Sequence, residues 1–273
     1  LAVIFLTGVL IMPNAQSGFF EWVWYFVQTY GPMFLRGAGT TLLIALTGTL
    51  AGFLIGLGVG VVRTIPCRRE DGLVRYALLR VVRAVLSIYI EVFRSTPMIV
   101  QAMVIYYGCA QMFGLNLPQL LAGFLIVSIN TGAYLSEIMR GGIQSVDPGQ
   151  REAAAAIGMT HGQTMLHVVL PQAIRNTLPA LGNEFIVNIK DTSVLNVISV
   201  SELFFVSKSA AGTFFKYFEV FFITSVIYFV MTFACTRLLR LLEKKMDGPE
   251  NYTIHGSQTV PEGELKLKGG AAQ

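Results

Sequence analysis

The sequence predicts an all-α, polytopic membrane protein, a helical bundle built on five core transmembrane helices with one folded polar loop. Three observations predict it. The 273 residues are 53% hydrophobic and only 13% charged, with mean hydropathy +0.61, a composition that belongs to the bilayer rather than to a soluble domain. Apolar stretches near 33–62, 84–112, 119–140, 184–206 and 214–239 are each long enough to cross. Arginine and lysine gather between and after these stretches, as they do on the cytoplasmic side of membrane proteins. The chain divides into an N-terminal apolar segment and lead-in at 1–32, a membrane domain at 33–243 and a disordered cytoplasmic tail at 244–273.

Residues 1–12, LAVIFLTGVLIM, are apolar but shorter than a span. They read either as a signal-peptide core with cleavage after Ala15 or as the end of an extra span. Trp22, Trp24, Tyr25 and Tyr30 then cluster ahead of the first clear span. They are either interfacial anchors or aromatics packed in a short helix. In the first span, Gly48, Gly52, Gly56 and Gly60 recur every four residues. One helix face is nearly bare backbone, which suits close helix packing in lipid, with a pore-lining face as the alternative.

Arg63, Arg68, Arg69, Arg75, Arg80 and Arg83 outnumber Glu70 and Asp71 between spans one and two, placing this segment inside. Flanked by spans, it is not a nucleic-acid arm. Span two carries Glu91 and Arg94 on one face at i,i+3, expected to pair or to face a polar interior, and Pro97 should kink it. On span three, Asn130, Tyr134, Glu137 and Gly141 form a polar stripe. On span four, Glu184, Asn188, Asp191, Ser199 and Glu202 form a second, with Leu195 in the gap. Lys190 projects about 100° away from Asp191 and need not be its ion partner. Span five is apolar apart from Glu219 and ends in Arg237, Arg240, Lys244 and Lys245, which places the C-terminus in the cytoplasm. With all three basic segments inside, the front of span one is outside. That calls for an exported N-terminus or an extra span.

The loop at 140–183 is long enough to be functional. Asp147 is an N-cap with Pro148 at the first helical position and Gln150 completing a capping box. The run Ala153–Ala156 carries the helix to Gly158, a left-handed stop. Thr160 and Gln163 form a second capping box, and the second helix should stop at Pro171.

No constellation looks catalytic, and there is no Walker A sequence for ATP. Cys67, Cys109 and Cys235 are odd in number and scattered, so they offer neither a disulfide framework nor metal-ligand spacing. His161, His167 and His255 do not form a metal site by spacing. Asn130, Tyr134 and Glu137, with Asn188, Asp191 and Ser193, are the candidate substrate pathway, because such groups are costly against lipid. Interhelical hydrogen bonding is the alternative for each. An ion-coupled secondary transporter is compatible with intramembrane acids but should show internal repeats with matching broken helices. A scaffold or sensor would not need paired polar stripes.

The loop also carries a resemblance. Glu152-Ala153-Ala154, Gly158 and Val168-x-Leu170-Pro171 fit the EAA loop of ABC importer permeases at every spacing, with Val168 in place of the usual Ile. SEIMRGGIQSV at 136–146, LPQAIRNTLPAL at 170–181 and IKDTSVLNVISVSEL at 189–203 resemble the permeases for polar amino acids. EVFRSTPMIVQ at 91–101 does too, with Ser95 where that family more often has Gly. The resemblance covers roughly 36–243. It implies a MetI-like transmembrane domain in a bacterial inner membrane, paired as a homo- or heterodimer. It implies coupling through Glu152, Ala153, Ala154, Gly158, Met159, Thr160 and His161 to an ABC ATPase subunit that holds ATP and Mg. A separate solute-binding protein would deliver the amino acid. A permease for methionine, a peptide or an anion is the near alternative.

Overall fold

The computed structural model describes residues 12–14, 16–67 and 69–246. The expectations for residues 1–11, for cleavage after Ala15 and for a tail beyond 246 fall outside them. The described residues are all-helical. The first helix, α1 (Phe19–Thr64), runs 46 residues with Pro32 inside it. It absorbs both the aromatic lead-in and the expected first span, and at about 1.5 Å per residue it exceeds the ~30 Å hydrocarbon core more than twofold. Trp22, Tyr25 and Tyr30 pack in the bundle. Trp22 is 3% exposed and lies with Phe26 and Tyr30 around Phe214, whose ring centroid is 5.4 Å from that of Phe26.

The expected second span is two helices, α2 (Leu73–Ser95) and α3 (Met98–Phe113). Pro97 separates them because it lacks the N–H that would bond the carbonyl of Phe93. Gln101 repairs the break: its Nε2 donates to Phe93 O at 2.9 Å and to Thr96 O at 2.8 Å. Asn130 holds Gln101 in turn, donating to its Oε1 at 2.8 Å.

The centre of the bundle is α4 (Gln119–Gln144), largely buried. The glycine stripe of α1 lies on it in parallel register. A Cβ on Gly48 would meet Val127 at 2.6 Å, on Gly52 Thr131 at 2.8 Å, on Gly56 the backbone of Leu135 at 2.8 Å and on Gly60 Met139 at 3.1 Å. The stripe is therefore a packing face, and the pore-lining alternative is set aside.

After the loop helices α5 (Pro148–Ala156) and α6 (His161–Thr164), a π turn at Met165–Val169 leads into α7 (Leu170–Asp191). The expected stop at Pro171 does not occur. Leu170 N donates five residues back to Met165 O, and this wider turn accommodates the proline at the start of α7. Asn188 ties α7 to the core, donating to Thr49 at 2.8 Å and contacting Thr131 at 3.0 Å.

The expected fourth span is likewise not continuous. A 3-10 turn at Thr192–Ile198 ends at Ser199 in the left-handed region, φ +61°. Then α8 (Leu203–Phe214) starts afresh, bent by 54° from the preceding helix. Fully buried Glu202 makes that start possible, accepting from Phe204 N at 2.8 Å and Phe205 N at 2.6 Å. Tyr228 donates to the same carboxylate at 3.3 Å. Glu202 and Ser199 thus leave the stripe that an unbroken helix would have made. The last element, α9 (Tyr217–Met246), packs on α8 through Thr224, which donates to Ser207 at 2.7 Å.

Three described helices are long and apolar enough to cross a membrane, at Phe19–Thr64, Gln119–Gln144 and Tyr217–Leu242, or four if the bent pair is one span. The α2–α3 pair falls short of a fifth. The α2 helix carries Arg75, Arg80, Arg83, Glu91 and Arg94, and α3 has only 16 residues.

Candidate functional site

The polar loop folds into a hairpin with defined caps. Asp147 accepts from Gly149 N at 2.7 Å, with Pro148 at the first position. Gln150 does not close the expected box, so this cap is one-sided. At the other end, Met159 N donates to Ala154 O and Gly158 N to Ala155 O, both at 3.0 Å, while Gly158 sits at φ +82°. This is a Schellman stop of the kind the Ala–Gly sequence predicts. The second box is complete: Gln163 N donates to Thr160 Oγ1 at 3.3 Å, and Thr160 N donates to Gln163 Oε1 at 2.9 Å.

The hairpin is bolted to the membrane bundle. Ile143, Val146, Met165, Val169 and Ala173 form one buried cluster. Arg151 donates to the Ile143 carbonyl. A Cβ on Gly142 would lie 2.3 Å from Thr177 and 3.0 Å from the Ala173 carbonyl, so α4 and α7 touch through backbone there. Of the predicted coupling residues, Ala154 faces this anchor and is buried, and Met159 is half-buried. Glu152, Ala153, Gly158, Thr160 and His161 are exposed. Beside them Ile157 is 78% and Leu166 61% exposed, an apolar surface on an otherwise polar loop. A surface cleft of about 370 Å³ lies between Ile157, Gly158, Met159, Gln163 and His167.

The pathway candidates are not gathered into one place. Tyr134 and Glu137 line a polar groove of about 470 Å³ with Arg63, Ser87, Ile90, Glu91, Arg94 and Ser95. Glu137 is clasped from both sides, by Arg63 and by Arg140, whose Nη2 lies at 2.8 Å. The expected Glu91–Arg94 pair does not form. Arg94 instead sets its guanidinium 5.6 Å from the Tyr134 ring centroid. Asn130 lies on the α2–α3 break, and Asn188 lies among α1, α4 and α7. Asp191 is exposed at the end of α7, and Ser193 is half-buried in the 3-10 turn.

Several partners escaped the sequence reading. Gln101, Thr49 and Thr131 are ordinary polar residues on apolar helices, with no local signal for the partner each one meets. Arg63 is 74 residues from Glu137, and only the matching of isolated opposite charges could have suggested the pair.

The described helices thus carry a capped hairpin with exposed apolar residues, anchored to two helices of the bundle. Comparison makes the class specific. The model of the family described as "Binding-protein-dependent transport system inner membrane component" matches residues 72–248. The chain belongs to that family: it is a multi-pass inner-membrane component of a binding-protein-dependent transport system, and its part in transport is non-catalytic. It is 36% identical over 216 residues to the glutamine transport system permease protein GlnP of Escherichia coli (strain K12), covering 79% of this chain and 93% of that one. A crystal structure described as an amino acid ABC transporter with histidines matches with TM-score 0.71 and 39% identity, covering 84% of this chain and 99% of the other. The inward-facing MetNI methionine ABC transporter matches with TM-score 0.60 at 19% identity, covering 78% and 97% respectively, which shows the shared fold.

Proposed function

We propose that the chain is the permease subunit of an ATP-binding-cassette importer for a polar amino acid. The observation that carries this reading is the hairpin. It is anchored to α4 and α7 and exposes alanine, Ile157 and Leu166. Such a patch on a polar loop is a docking surface, and the family supplies its occupant in kind: an ATPase subunit that holds ATP and Mg. Glu152, Ala153, Gly158, Met159, Thr160 and His161 present the hairpin to that subunit, and Ala154 fixes it from behind. A solute-binding protein brings the amino acid from the other side. The glutamine relative and the amino acid transporter structure support the substrate class.

The working unit is a dimer of permease subunits, each with five core spans when α2–α3 and α7–α8 each count as one. Lys190 and Asp191 are exposed close to Asn188, which meets Thr131 midway along α4. Charges at that depth are costly against lipid, so a second permease subunit and the water-filled path between the two cover them. The path runs by Asp191, Ser193, Tyr134 and Glu137, with Asn130 and Asn188 fixing the helices behind it. Arg237 and Arg240 at the end of the last span support a cytoplasmic C-terminus.

The test is Gly158→Leu. A side chain at φ +82° is strained whatever space surrounds it. The variant should insert into the membrane at parental levels, lose co-purification of the ATPase and lose amino acid uptake. Parental uptake would sink the coupling role of the hairpin.

A further inference from the structure

We propose that the groove between α7 and the C-terminal half of α9 holds an anionic phospholipid of the cytoplasmic leaflet, with its phosphate on Arg237 and Arg240 and its acyl chain along Phe233, Phe229 and Ile186. The proposal needs only the cytoplasmic end of α9 and is independent of the importer reading.

Phe229, Phe233, Arg237 and Arg240 follow one another at steps of four, four and three, so they share one stripe of α9. With Ile186 and Lys190 of α7 they line a groove of about 320 Å³. Thr232 and Thr236 complete the wall on α9, but their hydroxyls are spent on their own helix, donating to Tyr228 O at 2.8 Å and Thr232 O at 2.7 Å. The wall is therefore apolar apart from its cations. Three cations line the groove and no acidic side chain does.

Arg237 sets its guanidinium 5.0 Å from the Phe233 ring centroid. Neither Arg237 nor Arg240 has an ion-pair or hydrogen-bond partner among the described residues. Two like charges one turn apart on a helix repel each other. A phosphate reverses that cost, because its oxygens accept from both guanidinium groups at once. Lys190, with Asp191 beside it in the chain, stands at the end of the groove nearer the middle of the bilayer and is left to the path between subunits.

Depth fits the same ligand. The apolar part of α9 is bracketed by Glu219, which pairs with Lys216 at 3.7 Å, and by Arg237. Their separation along the helix is about 27 Å at ~1.5 Å per residue, close to the ~30 Å thickness of the hydrocarbon core. Arg237 thus reaches the level of the lipid phosphates, Arg240 lies about one turn beyond it, and the two phenyl rings stay at the depth of the chains. The stripe is open to the bilayer along its length: both arginines are exposed, Phe229 is 65% and Phe233 50% exposed.

A second groove, of about 440 Å³, lies on another side of α9 against Leu46, Leu50, Leu178 and Leu181. No charged residue lines it. The cations near the end of the span thus gather where a chain-sized groove meets them, which distinguishes a lipid site from the diffuse attraction of a basic helix end for an anionic surface. A zwitterionic lipid brings its own ammonium group to this cluster and gains less from it.

The test is lipid titration of the full chain, purified in detergent with the subunits that accompany it and stripped of lipid, read by native mass spectrometry and thermal unfolding. The probes are phosphatidylglycerol, phosphatidylcholine with the same chains, and inorganic phosphate. Phosphatidylglycerol should bind at least about ten-fold tighter than phosphatidylcholine, the scale of one charge-assisted hydrogen bond. At saturation it should raise the melting temperature by about 3 °C or more. The double variant Arg237→Gln, Arg240→Gln should lose both the preference and the shift, while Arg237→Lys, Arg240→Lys should keep more of each. Arg69→Gln, Arg80→Gln removes the same charge from the basic segment before and within α2 and should leave both unchanged. Equal binding of the two lipids overturns the proposal, and this comparison needs no variant. Equal losses in the two double glutamine variants also overturn it, since the attraction is then diffuse surface charge. So does the same thermal shift with inorganic phosphate alone, which would make the cluster a free-anion site.

Discussion

Replacing Gly56 by alanine isolates what the glycine stripe does. The added Cβ would sit 2.8 Å from both the backbone carbon and the Cβ of Leu135, and 2.9 Å from Ser136 N. These atoms belong to the most buried helix of the bundle and cannot swing aside as a flexible side chain would. Relief requires α1 and α4 to separate locally by several tenths of an ångström, which also opens the neighbouring contacts at Gly52 and Gly60. Overpacking of this kind costs about 1–3 kcal/mol, and better helix propensity returns about 1 kcal/mol. The net loss of about 0–2 kcal/mol corresponds to a melting temperature lower by up to about 8 °C. Gly58→Ala is the internal control, since nothing lies within 4 Å of its added Cβ. It carries the propensity gain without the clash. The assay is thermal unfolding of the two variants in the same detergent, followed by loss of the monodisperse size-exclusion peak. Gly56→Ala should melt clearly below Gly58→Ala. Equal melting temperatures would refute the close α1–α4 register on which the rest of the bundle rests.

Three further outcomes are expected. Gln101→Ala takes its bond from the Thr96 carbonyl and reduces the Phe93 carbonyl and the Asn130 amide to the 3.4 Å bond they share, which should destabilise the chain by about 1–3 kcal/mol in the same thermal assay; an unchanged melting temperature would mean that Gln101 does not repair the break at Pro97. Glu202→Ala strips two N–H groups at the start of α8 and the hydroxyl of Tyr228 of a buried acceptor, costing about 2–3 kcal/mol or more, whereas Glu202→Gln keeps an acceptor oxygen and should lie between parent and alanine variant. Thr160→Ala removes one half of the capping box, worth about 1 kcal/mol; it should raise amide hydrogen exchange in 157–165 and leave α4 unchanged, and uniform exchange would show that the cap is not holding the hairpin.

The membrane class, the folded loop and its caps at Asp147, Gly158 and Thr160 were legible in the sequence because they are local, although Gln150 did not close its box. Composition reports solvent. A glycine every fourth residue reports a bare helix face, and Ala–Gly followed by Thr-x-x-Gln reports a stop and a restart within a few residues of each other. The Glu-Ala-Ala to Gly158 spacing was readable for the same reason, since it lies within one short hairpin.

What the sequence left open was whatever depends on two distant segments meeting. The long helix α1 swallowed its aromatic lead-in because Phe214, nearly two hundred positions later, packs among those rings. The second span broke at Pro97, as the proline suggested, but only Gln101 and Asn130 made a clean break tolerable. The fourth span bent because Glu202 could cap a new helix inside the protein and meet Tyr228 there. Pro171 failed to stop its helix because a π turn ahead of it removed the conflict. The charges show the limit most plainly. Glu91 and Arg94 stand at a pairing distance in sequence, yet Tyr134 claimed the arginine, and Arg63 with Arg140 claimed Glu137. A charge can be placed on a helix face from periodicity alone. Which partner it takes is a competition among helices for the same few ångströms, and only the tertiary structure decides that.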